Sequence, residues 1–289
     1  MTSPDGPETA SAFKEDYLEV EPVLFRPAAQ KAVGKIDPSS LPVEEPVTID
    51  AGRAGVFTVM ASPGRALELA VGFCFSEGLL TGKKDLDLVR RSPEDPSVIQ
   101  VTFLRPPLTG EPGRNLIVSS SCGLCGAENI ESILAGLPRV EQRTSFTPEV
   151  LRLAMKEMTA NQALFLRTGG THAAALFDSQ GRLITLAEDV GRHNALDKAI
   201  GRAVLEDRPL SGCGVALSGR VSLEMVIKAA RAGIELIVAV SSPTSLALQA
   251  ARGSGITLCG FVRGDRATVY THPGRIVGLE GFQDGPAEP

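Results

Sequence analysis

The sequence predicts an α/β protein: a mixed, largely parallel sheet covered by helices in the C-terminal part, preceded by a smaller N-terminal α+β region. Three observations carry that prediction. In the second half, short apolar runs alternate with stretches of helical periodicity, the pattern of strands joined by crossover helices. In the first half, two strand-like runs, a helix-like run and a further strand follow one another without that regular alternation. The chain of 289 residues is 43% hydrophobic and 22% charged, enough to bury a core without disulfide staples.

Residues 1–20 are polar and rich in Pro, Ser, Thr and acidic residues, and are expected to be disordered. Residues 21–145 form the N-terminal α+β region. There VTID and GVFTVMAS read as short strands, and ALELAVGFCFSEGLL sets Leu67, Val71, Phe75 and Leu79 four apart, one face of an amphipathic helix. VIQVTFL is a further strand and RPPLTGEPGRN, residues 105–115, a Pro- and Gly-rich loop. Residues 146–280 form the α/β domain. ALFLRTGG and THAAALFD read as strands around a Gly pair, and DSQG turns the chain into RLITLAED. Leu196, Ile200 and Val204 mark a helix, GVALS a strand, and Leu223, Val226, Ile227 and Ala230 a second helix. IELIVAVSS, SPTSLALQAARGSG and ITLCGFV continue as strand, helix and strand, with RATVYTH as an antiparallel edge strand. Residues 281–289 form a flexible tail.

The net charge of −5 argues against broad electrostatic capture of nucleic acid. No apolar run approaches the roughly 20 residues a membrane-spanning helix needs, and the polar N-terminal stretch lacks the basic and apolar blocks of a signal peptide. The five Cys, at positions 74, 122, 125, 213 and 259, are too few and too scattered for a secreted disulfide framework. The expected location is therefore the cytoplasm, with reduced thiols.

Ser119-Ser120-Ser121-Cys122-Gly123-Leu124-Cys125-Gly126 precedes a run with Ile130, Ile133, Leu134 and Leu137 at helical spacing. That places both thiols in a Gly-bracketed turn at a helix start, where free N–H groups favour thiolate over thiol. A structural zinc site needs four ligands, and neither a second CxxC nor a matching His pair exists. A disulfide oxidoreductase would place its CxxC in an early βα unit, usually beside an aromatic residue. Two buried structural Cys fit poorly between Gly residues and a Ser run, and an exposed, reactive dithiol fits best.

Four further segments combine Gly with polar residues at strand ends or helix starts, where ligands and anions bind in α/β folds. They are Thr168-Gly169-Gly170-Thr171-His172; Glu188-Asp189-Val190-Gly191-Arg192-His193-Asn194; Ser218-Gly219-Arg220-Val221-Ser222; and Phe261-Val262-Arg263-Gly264-Asp265-Arg266. Two Arg around one Gly can clamp a pyrophosphate. Taken singly, each segment is also read as ordinary structure: His193 as a packed histidine, Glu188 and Asp189 as helix-capping acids, FVRGDR as a solvated β-turn. None matches a P-loop or a dinucleotide fingerprint.

CGLCG, TGGTHAAAL, EDVGRHNALDKAIG, SGRVSLEMVIKAA and VSSPTSLAL with GITLCGFVRG, in this order, closely resemble the formate dehydrogenase accessory sulfurtransferase family, FdhD. VGFCFSEGLL matches that family's GF-x-x-SEG element, and the likeness runs from about Glu44 to Pro273. The resemblance implies a cytidine-deaminase-like C-terminal domain and a homodimer. It also implies a persulfide carried on the CxxC loop from a cysteine desulfurase to the molybdenum (or tungsten) bis(molybdopterin guanine dinucleotide) cofactor, Mo-bis-MGD, for formate dehydrogenase. Carried over by position, Cys122 bears the persulfide, Cys125 is its partner thiol, and Phe261, Val262, Arg263, Gly264, Asp265 and Arg266 contact the cofactor. Gly169, Gly170, Thr171, His172, Arg192, His193, Ser218 and Arg220 are further candidate contacts.

The deaminase-like fold brings no deaminase zinc, whose chemistry needs HxE and PCxxC. Here His172 is followed by Ala-Ala, His193 by Asn-Ala, and Ser121 precedes Cys122. A non-catalytic cofactor chaperone for formate dehydrogenase is the alternative, and a thiol–disulfide reductase a third reading. A pure chaperone has no need of an exposed dithiol.

Overall fold

In a computed structural model of the chain, the described residues are 16–20, 23–25, 34–36, 39–105, 115–117 and 130–284. Cys122, Cys125 and residues 106–114 of the loop expected over 105–115 lie outside them. Strand β1 (Tyr17–Val20) pairs with β4 (Ser39–Pro42), and β2 (Val23–Phe25) with β3 (Gly34–Ile36), both antiparallel. Residues 17–20, expected inside a disordered stretch, are therefore a paired strand. The N–H of Gly64 anchors the same stretch by donating to Asp16 Oδ1 at 2.6 Å.

In β5 (Glu45–Asp50) and β6 (Val56–Ala61), Val47 and Ile49 alternate inward opposite Phe57, Val59 and Ala61, the period of a half-buried strand. Helix α1 (Ala66–Ser76), β7 (Leu86–Arg91), β8 (Val98–Phe103) and β9 (Asn115–Ile117) follow, giving a five-stranded sheet of order β7-β8-β5-β6-β9. Strand β7, LDLVRR, has no apolar alternation in sequence because it is an exposed edge. Helix α1 differs from the amphipathic helix expected. All its residues except Leu67 and Glu68 are buried, because it is enclosed between this sheet and a helix of the C-terminal half. On the sheet side Phe73 meets Phe57 with ring centroids 5.0 Å apart.

After α2 (Ile130–Ala135) come α3 (Pro148–Ala160), α4 (Ala163–Thr168), β10 (His172–Phe177), β11 (Leu183–Asp189), α5 (Arg192–Leu205), β12 (Gly214–Leu217), α6 (Leu223–Arg231), β13 (Leu236–Ala239), α7 (Ser245–Ser254), β14 (Thr257–Arg263) and β15 (Arg266–Thr271). Their six-stranded sheet has the order β11-β10-β12-β13-β14-β15. Only β12/β13 and β13/β14 pair in parallel, so the sheet is mixed rather than largely parallel. The reason lies in the connections. Tight turns at Asp178–Gly181 and at Gly264 join β10/β11 and β14/β15 as hairpins, which must be antiparallel. Helix α5 then carries the chain across β10, so β10 lies between two strands that both oppose it.

ALFLRT is a helix, not the strand expected. Its ends are satisfied from outside: Glu188 accepts the N–H groups of Leu164 and Phe165, both at 2.8 Å, and Gly169 closes the last turn in the left-handed conformation at φ 68°. Strand residues of the six-stranded sheet alternate between two cores. Ala173, Ala175 and Phe177 face α3, whereas Ala174 and Leu176 face the side of α5, α6 and α7. The second core continues through α1 into the five-stranded sheet, so one apolar interior spans both halves of the chain.

Helices α1 and α5 cross almost backbone to backbone. A Cβ on Gly72 would lie 1.8 Å from the Asp197 carbonyl oxygen, and one on Gly201 would lie 1.9 Å from that of Glu68. Gly72→Ala is therefore expected to cost about 3 kcal/mol or more by forcing the helices apart, lowering Tm by roughly 6–12 °C. Gly253→Ala, on the open face of α7 with nothing within 4 Å of the new Cβ, should instead be neutral or gain about 0.5–1 kcal/mol. Thermal unfolding of the two variants checks the contrast.

Candidate functional site

Strands β12, β13 and β14 run in parallel, so their carboxyl ends share one edge of the sheet. Antiparallel pairing brings the start of β10 and the end of β11 to that edge: Ala174 is in register with Leu217, and His172 with Asp189. Cross-links complete the arrangement. The N–H of Val221 donates to Ser242 O and that of Phe261 to Ser241 O, each at 3.3 Å. Four segments dispersed between residues 169 and 266 thus open onto the edge where α/β folds bind ligands.

Within this edge His172, Arg192, Ser218 and Gly219 form one cluster. Ser218 Oγ accepts the Ala173 N–H at 2.8 Å and lies 3.4 Å from His172 Nδ1. A Cβ on Gly219 would stand 3.2 Å from His172 Nδ1 and 3.6 Å from Arg192 Cδ, so the absence of a side chain there lets the ring and the arginine approach. Arg192 Nε is shielded from solvent and meets no acceptor among the described residues. A donor left in that state favours an incoming anion. Burial, followed by the nearby Arg192 charge, pushes the His172 pKa down, so its imidazole is neutral at pH 7. Beside the cluster lies a cavity of about 450 Å³. Gly169, Gly170, Thr171, His172 and Ser218 line it together with Met158, Gln162, Phe165 and Val240. Arg220 follows, exposed.

The FVRGDR segment forms the β14–β15 hairpin. Arg263 and Arg266 are register partners, and Gly264 makes the tip at φ 55°. Phe261, Arg263, Gly264, Asp265 and Arg266 are exposed, while Val262 is buried in the α3-side core. Phe261 is held at φ 53°, a conformation uncommon for a bulky residue.

The EDVGRHNALDK string divides between site and scaffold. His193 is turned away from His172: its Nε2 lies 3.0 Å from Ser222 Oγ and 3.4 Å from Glu224 Oε2. Glu188 caps α4 rather than the helix that follows it, and also accepts the Thr171 hydroxyl at 3.2 Å. Asp189 is fully buried. It accepts from the N–H groups of Ser62 and Gly191 and from Asn194 Nδ2, and pairs with Lys198 Nζ at 2.7 Å. Lys198 also donates to Ser62 O and Asn194 to Met60 O, each at 2.8 Å. A second buried pair, Asp197–Lys228 at 2.8 Å, takes the Ser76 hydroxyl at 2.7 Å. Burial pushes Asp197 up to about 6 against the pull of Lys228, leaving it ionised at pH 7. Sequence reasoning missed this joint. The available signal was Asp197 and Lys198 embedded among apolar positions of α5, with Asp189 at the end of the apolar strand β11.

The fold and this cluster define the chain as an α/β protein with a cleft at the carboxyl ends of its parallel strands, beside an arginine whose inner nitrogen is buried. Residues 42–277 match the FdhD/NarQ family model, and the chain belongs to that family. It is 40% identical over 248 residues to the sulfur carrier protein FdhD of Thermoplasma acidophilum, covering 82% of this chain and 87% of the relative. It is 39% identical over 235 residues to that of Sulfolobus acidocaldarius, covering 81% and 90%. A crystal structure described as a formate dehydrogenase accessory protein, from Desulfotalea psychrophila, superposes with a TM-score of 0.69 at 25% identity, over 91% of this chain and all of that one. Among the described residues, no helix is long and apolar enough to cross a membrane.

The electrostatics of the cluster can be read directly. In an NMR titration, His172 should show a midpoint below the ordinary value near 6.5. Arg192→Ala should move it part of the way back, because burial, the larger cause, remains. An unshifted midpoint in the wild type would contradict the buried, neutral ring.

Proposed function

We propose that this chain is a sulfurtransferase of the persulfide-carrier type, acting in the maturation of formate dehydrogenase. In this reading Cys122 attacks the outer sulfur of a persulfide on a cysteine desulfurase. The donor's S–S bond breaks, the desulfurase leaves as a thiolate, and Cys122 holds the sulfur as a new persulfide, with no net oxidant or reductant consumed. Cys125 is the partner thiol. The recipient is Mo-bis-MGD, or its tungsten counterpart, a client cofactor of formate dehydrogenase.

The observation that carries the reading is Arg192, whose inner guanidine nitrogen is buried without an acceptor among the described residues. It stands beside His172 and Ser218 in a member of a family whose relatives are named sulfur carriers. These groups suit the pyrophosphate oxygens of a guanine dinucleotide, and the Arg263–Arg266 hairpin at the same sheet edge adds two planar cations. On this reading Gly169, Gly170, Thr171 and Arg220 shape the cleft, and His193 positions the α5 start through Ser222. The cofactor supplies the metal that receives the sulfur, and the chain's own part is to bind its anionic groups and bring the thiol. We further take residues 146–280 to be the cytidine-deaminase-like domain and residues 21–145 the N-terminal region bearing the CxxC loop. We also take the protein to work as a cytoplasmic homodimer. The mixed sheet with helices on both faces supports the domain reading.

Two variants test the reading together. After incubation with a cysteine desulfurase and cysteine, the wild type should gain about 32 Da on Cys122, the mass of one sulfur added to a nucleophilic thiolate. Cys122→Ala should lose both that gain and delivery of active formate dehydrogenase, yet still bind GDP by calorimetry. The Arg263→Ala/Arg266→Ala double variant should load sulfur normally but bind GDP at least tenfold more weakly, since two charge-assisted contacts are removed. Full maturation by Cys122→Ala would leave only the cofactor-chaperone function.

A further inference from the structure

The sheet edge opposite the anion cleft carries a second, larger depression that the function above does not use. It lies at the amino ends of β12 and β13, bordered by Ser211 and by Gly233 and Glu235, and has a volume of about 600 Å³. Five cations line it: Lys83, Arg139, Arg143, Arg208 and Arg231, all exposed. Two of its three carboxylates are already engaged, Glu141 by Arg143 at 3.4 Å and Glu235 by the buried Arg275 at 3.3 Å, leaving Asp207. Lys83 and Arg139 have no carboxylate within ion-pair distance among the described residues. Beneath the cations lies an apolar floor that includes Phe75, Val204 and Leu210. Arg143 is paired with Glu141 and Arg208 with Glu206 at 3.5 Å, so Lys83, Arg139 and Arg231 face Asp207 as a local excess of positive charge on a chain of net charge −5.

We propose that this depression is the docking surface for the protein that donates sulfur, and that it recognises an acidic segment of that partner. The inference rests on the persulfide-carrier reading and extends it. Exposed arginines around an apolar floor match the anatomy of a protein interface, with anchors at the centre and charge at the rim. They match a small-ligand site less well, because exposed cations are screened and hold a lone anion weakly. Position supports the assignment. Pro138, Arg139, Val140, Glu141 and Arg143 line the depression shortly after α2, and Cys122 is eight residues before Ile130, a covalent reach of at most about 28 Å. Strands β12 and β13 are four residues long, roughly 13 Å at the usual rise. They separate the docking surface from the anion cleft, so donor and cofactor can be bound at once without collision.

The experiment compares wild type with the Lys83→Glu/Arg139→Glu variant, whose reversed charges break no internal ion pair among the described residues. Loading of Cys122 is followed by mass shift from two donors, a cysteine desulfurase with cysteine and inorganic polysulfide, at low and high salt. Retained thermal unfolding establishes that the variant is folded. The expected result is desulfurase-driven loading at least tenfold slower in the variant at low salt, the gap closing as salt rises. Polysulfide loading should be the same in both. Equal desulfurase rates in the two proteins, or an equal loss with polysulfide, would overturn the docking surface. Failure of the wild type to load from either donor would instead overturn the persulfide-carrier reading itself.

Discussion

The structure depends on how closely α1 and α5 approach. Gly72 and Gly201 remove the side chains that would separate the two backbones, since either Cβ would fall within 2 Å of a facing carbonyl oxygen. Because the helices touch along their backbones, the N-terminal sheet on α1 and the C-terminal sheet beneath α5 share one apolar interior rather than two. The same contact brings Ser76, at the end of α1, to Asp197, and Ser62, between β6 and α1, to Asp189 of β11 and Lys198 of α5.

Those polar groups are two buried carboxylate–ammonium pairs, Asp189–Lys198 and Asp197–Lys228. Burial of such pairs is costly, and their attraction compensates only when the remaining donors and acceptors are also filled. Here they are filled by Ser62, Ser76, Gly191 and Asn194, the two serines lying on the opposite half of the chain, and Asn194 is held in turn by Met60 O. The network therefore rewards one docking geometry of the two halves and penalises any slip. Its consequence for the site is direct: the start of α5 is fixed, and with it Arg192 beside His172 and His193 beside Ser222.

The six-stranded sheet keeps its two ends chemically distinct. At the carboxyl ends of the parallel strands, a neutral histidine, a hydroxyl and a guanidinium with a buried inner nitrogen converge. At the amino ends, cations stand exposed around an apolar floor. Preorganised, desolvated donors suit a fixed anionic group, whereas an open charged rim suits steering of a large partner. One short sheet can thus separate the two encounters a carrier needs.

Much of this was legible in the chain. The alternation of apolar runs and helical periodicity defined the strands and helices of the C-terminal half except α3, which was not read, and α4, which was read as a strand, and the Gly-containing polar segments marked the residues that meet at the sheet edge. What misled was local. ALFLRTGG has the apolar content of a strand and becomes helical because Glu188, distant in sequence, caps it. The buried role of EDVGRHNALDK was hidden because a charged residue in a helix looks the same in sequence whether it faces water or a partner. The sequence by itself determined most elements of the C-terminal half, the motif residues and the family likeness, since periodicity, turn chemistry and residue order are properties of the chain alone. The tertiary structure alone decided the strand directions, the sharing of one core, and the division of one motif between scaffold and site, because each depends on which distant groups satisfy a buried charge or a free helix end.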